Sequence, residues 1–448
     1  MGRLAVLGPV GALGLGGLLA FGPASAGTAW ADTGTPPAIS QHDEATTADG
    51  APACVTPSTA QVTQLPWAQA YLDPEGVWQL TEGAGVTVAV LGSGGDDESG
   101  MLTGRLTLGP QEMPGAGGTG GDCVGQGSFA AGLIAARPQP GSGFAGIAPA
   151  ANVLAVGVTD ETGATDADAL AAGIRAAADA GARVIDVTVT ASSTDTALDD
   201  AVAYAIGRGS LIVAPFLADG QTTAAPTYPA ALPGVLSVAD LAPGGSLPAD
   251  AQTASPLPGA TGTAAAGSAS GGGSTQAPTV DLAAPGDDVV GLGPGGTGLF
   301  TAGGPSYAAA FVAGTAALVL SYRPQLTEAQ LLYRLEQTAY RPGTKLPDPN
   351  YGYGYGTVDP VNAVSQELPQ EEDPSAAPQA PQQPRETLVM PPPVTSEAPR
   401  EALAVAGASA FLILMVSLGA AVHRSARSRR VAGSADPRGG EPGSVRRT

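Results

Sequence analysis

The sequence predicts an α/β protein built on a doubly wound parallel sheet with helices on both faces, followed by one C-terminal transmembrane helix. Short runs rich in β-branched residues alternate with longer helical runs, which is the pattern of strands joined by crossover helices. The strand runs are almost continuously apolar, which indicates that both faces of the sheet are covered. A ligand cleft in such a fold belongs at the carboxyl ends of the strands.

These runs place the strands and helices in the middle of the chain. The predicted strands are residues 86–91, 153–158, 184–189, 211–214, 235–239 and 280–283. The predicted helices are residues 128–137, 166–180, 195–207, 306–322 and 327–338. Small and apolar residues fill the helix 306–322, so we expect it to be buried on every side.

The two ends of the chain carry targeting signals. Residues 1–31 are expected to be a secretory signal peptide, because an apolar run follows Arg3 and ends near A-x-A-like tripeptides that allow cleavage after Ala26 or Ala31. An uncleaved anchor is the alternative. Residues 402–422 form an uncharged apolar run long enough to cross a bilayer, with a buried core helix as the alternative. Arginines follow this run, which predicts that the main domain lies outside the cell membrane and the tail inside.

Shifts in composition divide the chain into segments. The expected order is a signal peptide at 1–31, an N-terminal extension at 32–65, the α/β domain at 66–365, a Pro-rich disordered stalk at 366–401, the transmembrane helix at 402–422 and a basic cytoplasmic tail at 423–448. Within the domain, the Gly-, Ser- and Ala-rich residues 243–278 are expected to form a mobile surface insertion.

Charge and cysteine content exclude some classes of function. The formal net charge of −21 argues against a nucleic-acid partner, which would need a basic face. The two cysteines, Cys54 and Cys123, lie in the part predicted to be outside the cytoplasm, where a disulfide can persist. A metal site is the alternative, but no nearby histidine or second cysteine pair completes it. The sequence therefore implies neither a metal nor a cofactor.

One serine has two candidate roles. Ser306 follows Gly303, Gly304 and Pro305, where a tight loop turns into the predicted buried helix. A serine at a helix start can cap the N–H groups that lack partners there. It can also be a nucleophile, because a helix N-terminus stabilises developing negative charge. This stretch alone leaves both roles open.

The same stretch carries a family resemblance. Residues 304–309 read Gly-Pro-Ser-Tyr-Ala-Ala, which resembles the G-T-S-M/F-A-A/V nucleophile segment of subtilisin-like serine proteases. Over about residues 66–364 the chain resembles, more narrowly, the mycosins, which are the membrane-anchored subtilases of actinobacterial type VII secretion. The resemblance implies a subtilisin-like sheet. It also implies a disulfide between Cys54 and Cys123, tying the N-terminal extension to the segment before the catalytic histidine.

Two of the three positions of the family's catalytic triad carry a residue that cannot do the chemistry. Gly92 stands at the aspartate position and has no side chain to orient a base; Asp96 and Asp97 follow on an expected solvated loop. Gln126 stands at the histidine position, and its amide cannot accept a proton near neutral pH. Ser306 keeps the nucleophile position.

The replacements have no evident substitute elsewhere in the chain. His42 lies in the N-terminal extension, His423 lies at the membrane edge, and Lys345 lies in a distant loop. Where the family has an oxyanion-stabilising asparagine, this chain has Ala218 and Asp219. Neither donates an amide, and a carboxylate there would repel an oxyanion.

The expected losses in catalytic rate favour an inactive protein. In subtilisin, which belongs to the family this chain resembles, loss of the triad histidine costs about 10⁶ in kcat and loss of an oxyanion donor about 10²–10³. We therefore expect a pseudoprotease that works in or beside a type VII secretion membrane complex, by scaffolding or by holding a peptide in the inherited cleft. Ser306 would then be only a helix cap. An active serine endopeptidase that processes secreted substrates is the alternative.

Overall fold

The computed structural model describes residues 36–39, 54–113, 121–221, 225–248, 280–341 and 352–369. All of them belong to the first of the two units into which the chain divides, Met1–Pro378. Several predicted features lie outside the described residues: the signal peptide, most of the stalk and of the insertion at 243–278, the transmembrane helix 402–422, the basic tail, His42, Lys345 and His423.

A seven-stranded parallel sheet forms the centre of the domain. Its strands in chain order are β1 (Thr87–Gly92), β2 (Leu106–Gln111), β3 (Asn152–Gly157), β4 (Val184–Val187), β5 (Leu211–Pro215), β6 (Val235–Leu241) and β7 (Leu282–Pro285). They lie in the order β2-β3-β1-β4-β5-β6-β7, and every neighbouring pair is parallel. The predicted doubly wound parallel sheet is confirmed.

Helices cover both faces of this sheet. They are α1 (Trp67–Leu72), α2 (Pro74–Trp78), α3 (Gln126–Ala135), α4 (Ala167–Asp179), α5 (Thr196–Gly207), α6 (Pro305–Tyr322), α7 (Glu328–Thr338) and α8 (Pro360–Ser365). One apolar core joins α4 and α5 to residues such as Leu91 and Ile185 of the sheet. The other core joins α3, α6, α7 and α8 to residues such as Val90 and Val213. Alternate residues of β1 thus face opposite cores, as the period of two along a strand requires.

The helix α6 lies at the centre of the second core. All its residues from Pro305 to Leu320 are buried, as the sequence predicted. Its small residues allow close packing: a side chain at Gly314 would overlap Ile147. In the part of the chain that the structure describes, α6 is also the one helix with the length and composition to span a membrane. Its burial in the domain identifies it here as a core helix.

Side-chain caps explain where several helices begin. The carboxylate of Asp166 accepts the N–H of Ala169 at 2.8 Å, and that of Asp195 accepts the N–H of Leu198 at 2.9 Å. Thr327 forms a reciprocal capping box with Gln330. In each case the predicted first residue is the cap, so the helix begins one residue later than predicted.

The sequence did not predict the edge strand β2, the short helices α1, α2 and α8, or a small antiparallel hairpin formed by β8 (Val289–Gly291) and β9 (Phe300–Ala302). β2 is largely exposed and contains Gly109 and Pro110, so it lacks the continuous apolar run of its buried neighbours. The other elements are too short to establish a helical or strand period.

The N-terminal extension is attached to the domain at three places, among others. Cys54 and Cys123 form a disulfide with their Cα atoms 4.5 Å apart, which confirms the predicted pairing. Further on, the buried hydroxyl of Ser58 donates to the carbonyl of Leu299 at 2.8 Å. Upstream, the N–H of Ile39 donates to the carbonyl of Thr301 in β9 at 2.8 Å. The extension therefore runs along the hairpin side of the domain.

Removing this disulfide is expected to destabilise the domain. The bridge joins residues 69 positions apart, and the chain-entropy estimate for such a loop is about 4 kcal/mol. Urea unfolding of the double variant Cys54→Ser/Cys123→Ser should show a midpoint lowered by a corresponding amount. The oxidised wild type and the wild type treated with reductant are the controls. An unchanged midpoint in the double variant would show that the hairpin contacts alone hold the extension.

Three carboxyl groups away from the cleft are buried or half-buried. Asp186 of β4 is fully buried between Val90 and Val213, and neither of its oxygens has a hydrogen-bond partner among the described residues. Burial therefore raises the pKa of Asp186 well above its ordinary value. Burial also raises the pKa of Asp281 to about 6 and that of Glu336 in α7 to about 8, and the nearby Asp281 charge raises the latter further.

Candidate active site

The candidate site lies where the order of the strands reverses. β1 pairs with β3 on one side and β4 on the other, and the chain passes from β1 to β2 and β3 before it crosses to β4. A crevice forms at the carboxyl ends of the strands at such a switch point. Gly92 ends β1 there, and Thr188 directly follows β4.

Gly92 cannot carry an aspartate in this structure. A Cβ atom at Gly92 would overlap the hydroxyl oxygen of Thr188, which is buried and donates to the carbonyl of Leu91 at 3.0 Å. The place of a triad carboxylate is thus filled by another side chain.

The two aspartates that follow Gly92 close local turns. Asp97 accepts hydrogen bonds from the N–H of Leu102 at 2.7 Å and the hydroxyl of Thr103 at 2.8 Å. Asp96 accepts one from the N–H of Glu98 at 2.8 Å. Both carboxylates therefore have a structural partner in their own loop.

Gln126 is the first residue of α3, and it is tied to the sheet. Its side-chain amide donates to the carbonyl of Thr188 at 2.6 Å, and only 2% of the residue is exposed. The Asp122 carboxylate caps the helix instead, accepting the N–H groups of Gly125 at 2.7 Å and Ser128 at 2.8 Å. Gln126 is consequently a hydrogen-bond donor to the backbone at the place where a general base would have to accept a proton.

Ser306 is the second residue of α6, and the cap of this helix is Gly304. The prediction that Ser306 is a helix cap is therefore wrong. Its backbone N–H donates to Oδ1 of Asp219 at 2.9 Å, and its hydroxyl donates to Oδ2 of the same carboxylate. Ser306 is fully buried. Sequence reasoning placed Asp219 near an oxyanion, but it did not predict this direct contact.

Asp219 lies in a turn that follows β5. The N–H of Gln221 closes the turn by donating to the carbonyl of Ala218 at 3.0 Å. The space for the carboxylate exists because residue 304 is a glycine: a Cβ there would overlap the Asp219 side chain, and its φ of 146° is unusual for other residues. A bulkier residue at position 304 would displace the carboxylate.

The electrostatics of Asp219 favour the proton-bound form. Burial raises the pKa of Asp219 to about 7, although the two hydrogen bonds from Ser306 act to lower it. The negative charge of Asp240 in β6 raises it further. Near neutral pH the side chain is therefore present in both its neutral and its ionised form.

The helices that carry Gln126 and Ser306 pack directly against each other. The ring of Phe129 in α3 lies 4.7 Å from the ring of Tyr307 in α6, measured between centroids. The structure thus forms two sets of contacts on these packed helices and the neighbouring strand ends. One joins Gln126 of α3 and Gly92 of β1 to Thr188, directly after β4. The other joins Ser306 of α6 to Asp219 in the turn after β5. Thr188 lies against Gly92 and accepts the hydrogen bond from Gln126. The sequence analysis did not single it out, because it looks like one more β-branched residue of a predicted strand.

Both polar groups of Ser306 are occupied by hydrogen bonds. A subtilase uses the serine hydroxyl as nucleophile and a backbone N–H near it to stabilise the oxyanion. Here one carboxylate accepts hydrogen bonds from both the N–H and the hydroxyl of Ser306. Within the described ranges, no three histidine, cysteine or carboxylate side chains are grouped to hold a metal ion.

The fold and the placement of Ser306 at the start of the central helix define a subtilisin-like protein. The profile of the subtilase family, peptidase S8, matches residues 83–356, and the chain belongs to this family. Within the family it is similar to the mycosins. It is 30% identical to mycosin-1 of Mycolicibacterium smegmatis, covering 84% of this chain and 89% of the relative. It is 31% identical to mycosin-1 of Mycobacterium tuberculosis, with the same coverage.

A solved structure gives the same result. The crystal structure of MycP1 from the ESX-1 type VII secretion system superposes with a TM-score of 0.55 at 27% identity. The match covers 77% of this chain and 99% of that one.

Proposed function

We propose that this chain is a non-hydrolytic mycosin homologue that works outside the cell membrane with a type VII secretion complex, by binding rather than by cutting. One observation carries the proposal: the Asp219 carboxylate accepts both the hydroxyl and the backbone N–H of Ser306. These are the two groups that a scissile carbonyl would need. The filled space at Gly92 and the amide at Gln126 support it, because neither position supplies the aspartate or the histidine of a triad.

The proposed partner and location follow from the relatives and the sequence. The solved MycP1 comes from a type VII secretion system. The apolar residues 402–422, followed by arginines, would hold the domain at the membrane with its tail in the cytoplasm. The domain would then brace the complex or hold an extended peptide in the cleft that the fold provides at the carboxyl ends of β1 and β4.

A fluorophosphonate probe tests whether Ser306 is an activated nucleophile. Such probes label serines whose hydroxyl is activated by a base. We expect no labelling of Ser306 above the background of the Ser306→Ala variant, because its hydroxyl is fully buried against Asp219 and Gln126 cannot accept the proton as a histidine would. An active subtilisin treated in parallel shows that the probe works. Labelling of Ser306 in the wild type would establish an active serine endopeptidase and overturn the proposal.

Secretion in living cells tests whether the protein supports type VII secretion without hydrolysis. Ser306→Ala should leave secretion of type VII substrates unchanged, whereas deletion of residues 402–422 should abolish it. Losing the hydrogen bond from the Ser306 hydroxyl to Asp219 is expected to cost about 1–3 kcal/mol of stability, so protein levels must be matched. Ser321→Ala is a matched control, since this half-buried serine lies at the other end of α6 and donates to the carbonyl of Ala84 at 2.7 Å. Loss of secretion in Ser306→Ala alone, at normal abundance, would contradict a binding role.

A further inference from the structure

The contact between Asp219 and Ser306 joins a surface turn to the buried start of α6. Asp219 is 8% exposed, and its carboxylate enters beside Gly304, the residue that leaves room for it. The turn itself is anchored upstream, where the N–H of Phe216 donates to the carbonyl of Val238 at 2.8 Å. The hydrogen bonds to Ser306 are therefore what holds the far side of this turn against the helix.

Within the described ranges, two acidic groups lie near this carboxylate. Asp240 faces it from β6, and its charge disfavours ionisation of Asp219. Asp287, in the segment after β7, lies next to Gly303, one residue away from the contact. On α6 the facing group is Ser306, which donates and does not titrate in this range. An ionised Asp219 is thus held in a buried site among other negative charges.

Proton binding must therefore favour the inserted position of Asp219. Inserted, the carboxyl has a pKa of about 7, whereas a carboxyl that has moved into water returns to about 3.8. Since the inserted form binds the proton more tightly, acid stabilises insertion. A rise in pH through the range between these two values makes release progressively easier.

We propose that Asp219 is a proton-linked latch: its protonated side chain stays inserted against Ser306, and loss of the proton favours its release from the α6 N-terminus. Release exposes the N–H and hydroxyl of Ser306 as donors for a guest in the cleft, and a backbone carbonyl of an extended peptide is the group they fit. The inference rests on the proposed function in that such a guest is bound and not cut.

Hydrogen–deuterium exchange of the full-length protein in detergent micelles tests the latch. Exchange of the Ser306 amide is measured from pH 5 to pH 8 and corrected for the intrinsic pH dependence of exchange. In the wild type, the corrected equilibrium constant for local opening at the Ser306 amide should rise about 10- to 100-fold from pH 5 to pH 8. Asp219→Asn cannot ionise and should abolish the rise. Asp240→Asn removes the neighbouring charge and should reduce it.

Controls separate the latch from general effects of pH. Asp200→Asn changes an exposed aspartate of α5 and should leave the rise intact. Amides of β4, followed in the same samples, report whether each variant remains folded. A flat profile in the wild type, or the same rise in Asp219→Asn, would overturn the latch. These outcomes leave the probe-labelling and secretion tests unaffected, so the two proposals can fail separately.

Discussion

Replacing Gly92 by alanine is expected to lower the free energy of unfolding by about 1–3 kcal/mol, the usual cost of forcing extra atoms into a packed site. The added methyl group would overlap the hydroxyl of Thr188, which is itself held by Leu91. Gly92→Asp should cost more, because it adds a carboxylate to the same buried place. An aspartate restored at this position alone would therefore weaken the fold rather than restore a triad.

A double-mutant cycle tests whether overlap with the Thr188 hydroxyl causes this loss of stability. Thr188→Ala removes the hydroxyl, so the double variant Gly92→Ala/Thr188→Ala should be less destabilised than the sum of the single variants, by about 1–2 kcal/mol. Gly207→Ala is the control, since nothing lies within 4 Å of a Cβ there and alanine favours helix. Strictly additive costs in urea unfolding would show that Thr188 is not what excludes a side chain from position 92.

The domain is expected to become more stable by several kcal/mol as the pH falls from about 8 to 5. Asp219, Asp281 and Glu336 have a pKa raised to about 7, 6 and 8 in the folded state, and that of Asp186 is also raised. The unfolded chain loses these protons near its ordinary acidic pKa values, so over this range the folded state binds more protons. Stability contributed by each group is therefore lost as the pH rises toward its folded pKa.

Urea unfolding of the purified full-length protein at several pH values measures this effect. The folded state binds a proton at Glu336 and at Asp186 that the unfolded chain does not bind. Glu336→Gln and Asp186→Asn each remove one of these protons, so each should reduce the slope of stability against pH by up to about 1.4 kcal/mol per pH unit. Glu161→Gln changes an exposed glutamate and serves as the control. A stability that falls steadily from pH 8 to 5, in the manner of ordinary acid denaturation, would contradict the prediction.

The sequence predicted the buried parts of the fold well, because their physical signals are local. Continuous apolar runs marked β1, β4 and β5, and the capping side chains of Asp166, Asp195 and Thr327 marked three helix starts to within one residue. The edge strand β2 was not predicted, because neither of its faces is fully covered and its sequence lacks a continuous apolar run. Its position depends on pairing with β3, which local patterns do not show.

The candidate site was predictable in composition but not in its contacts. The absence of a base at Gly92 and Gln126 could be read from residue types alone. The roles of Ser306 and Asp219 could not, because the two lie 87 residues apart and meet only when α6 packs against the turn after β5. A carboxylate that was expected only to repel an oxyanion proved to be the partner of the serine.

The hydroxyl of Thr188 has a consequence for any attempt to place a carboxylate at position 92. With that hydroxyl in place, a return to a catalytic aspartate cannot be made by one favourable change at position 92, since the first step would collide with its neighbour. Two codons would have to change, and one of the intermediates would be penalised before any benefit appeared. Any redesign that places a carboxylate here must therefore change Thr188 first and Gly92 second.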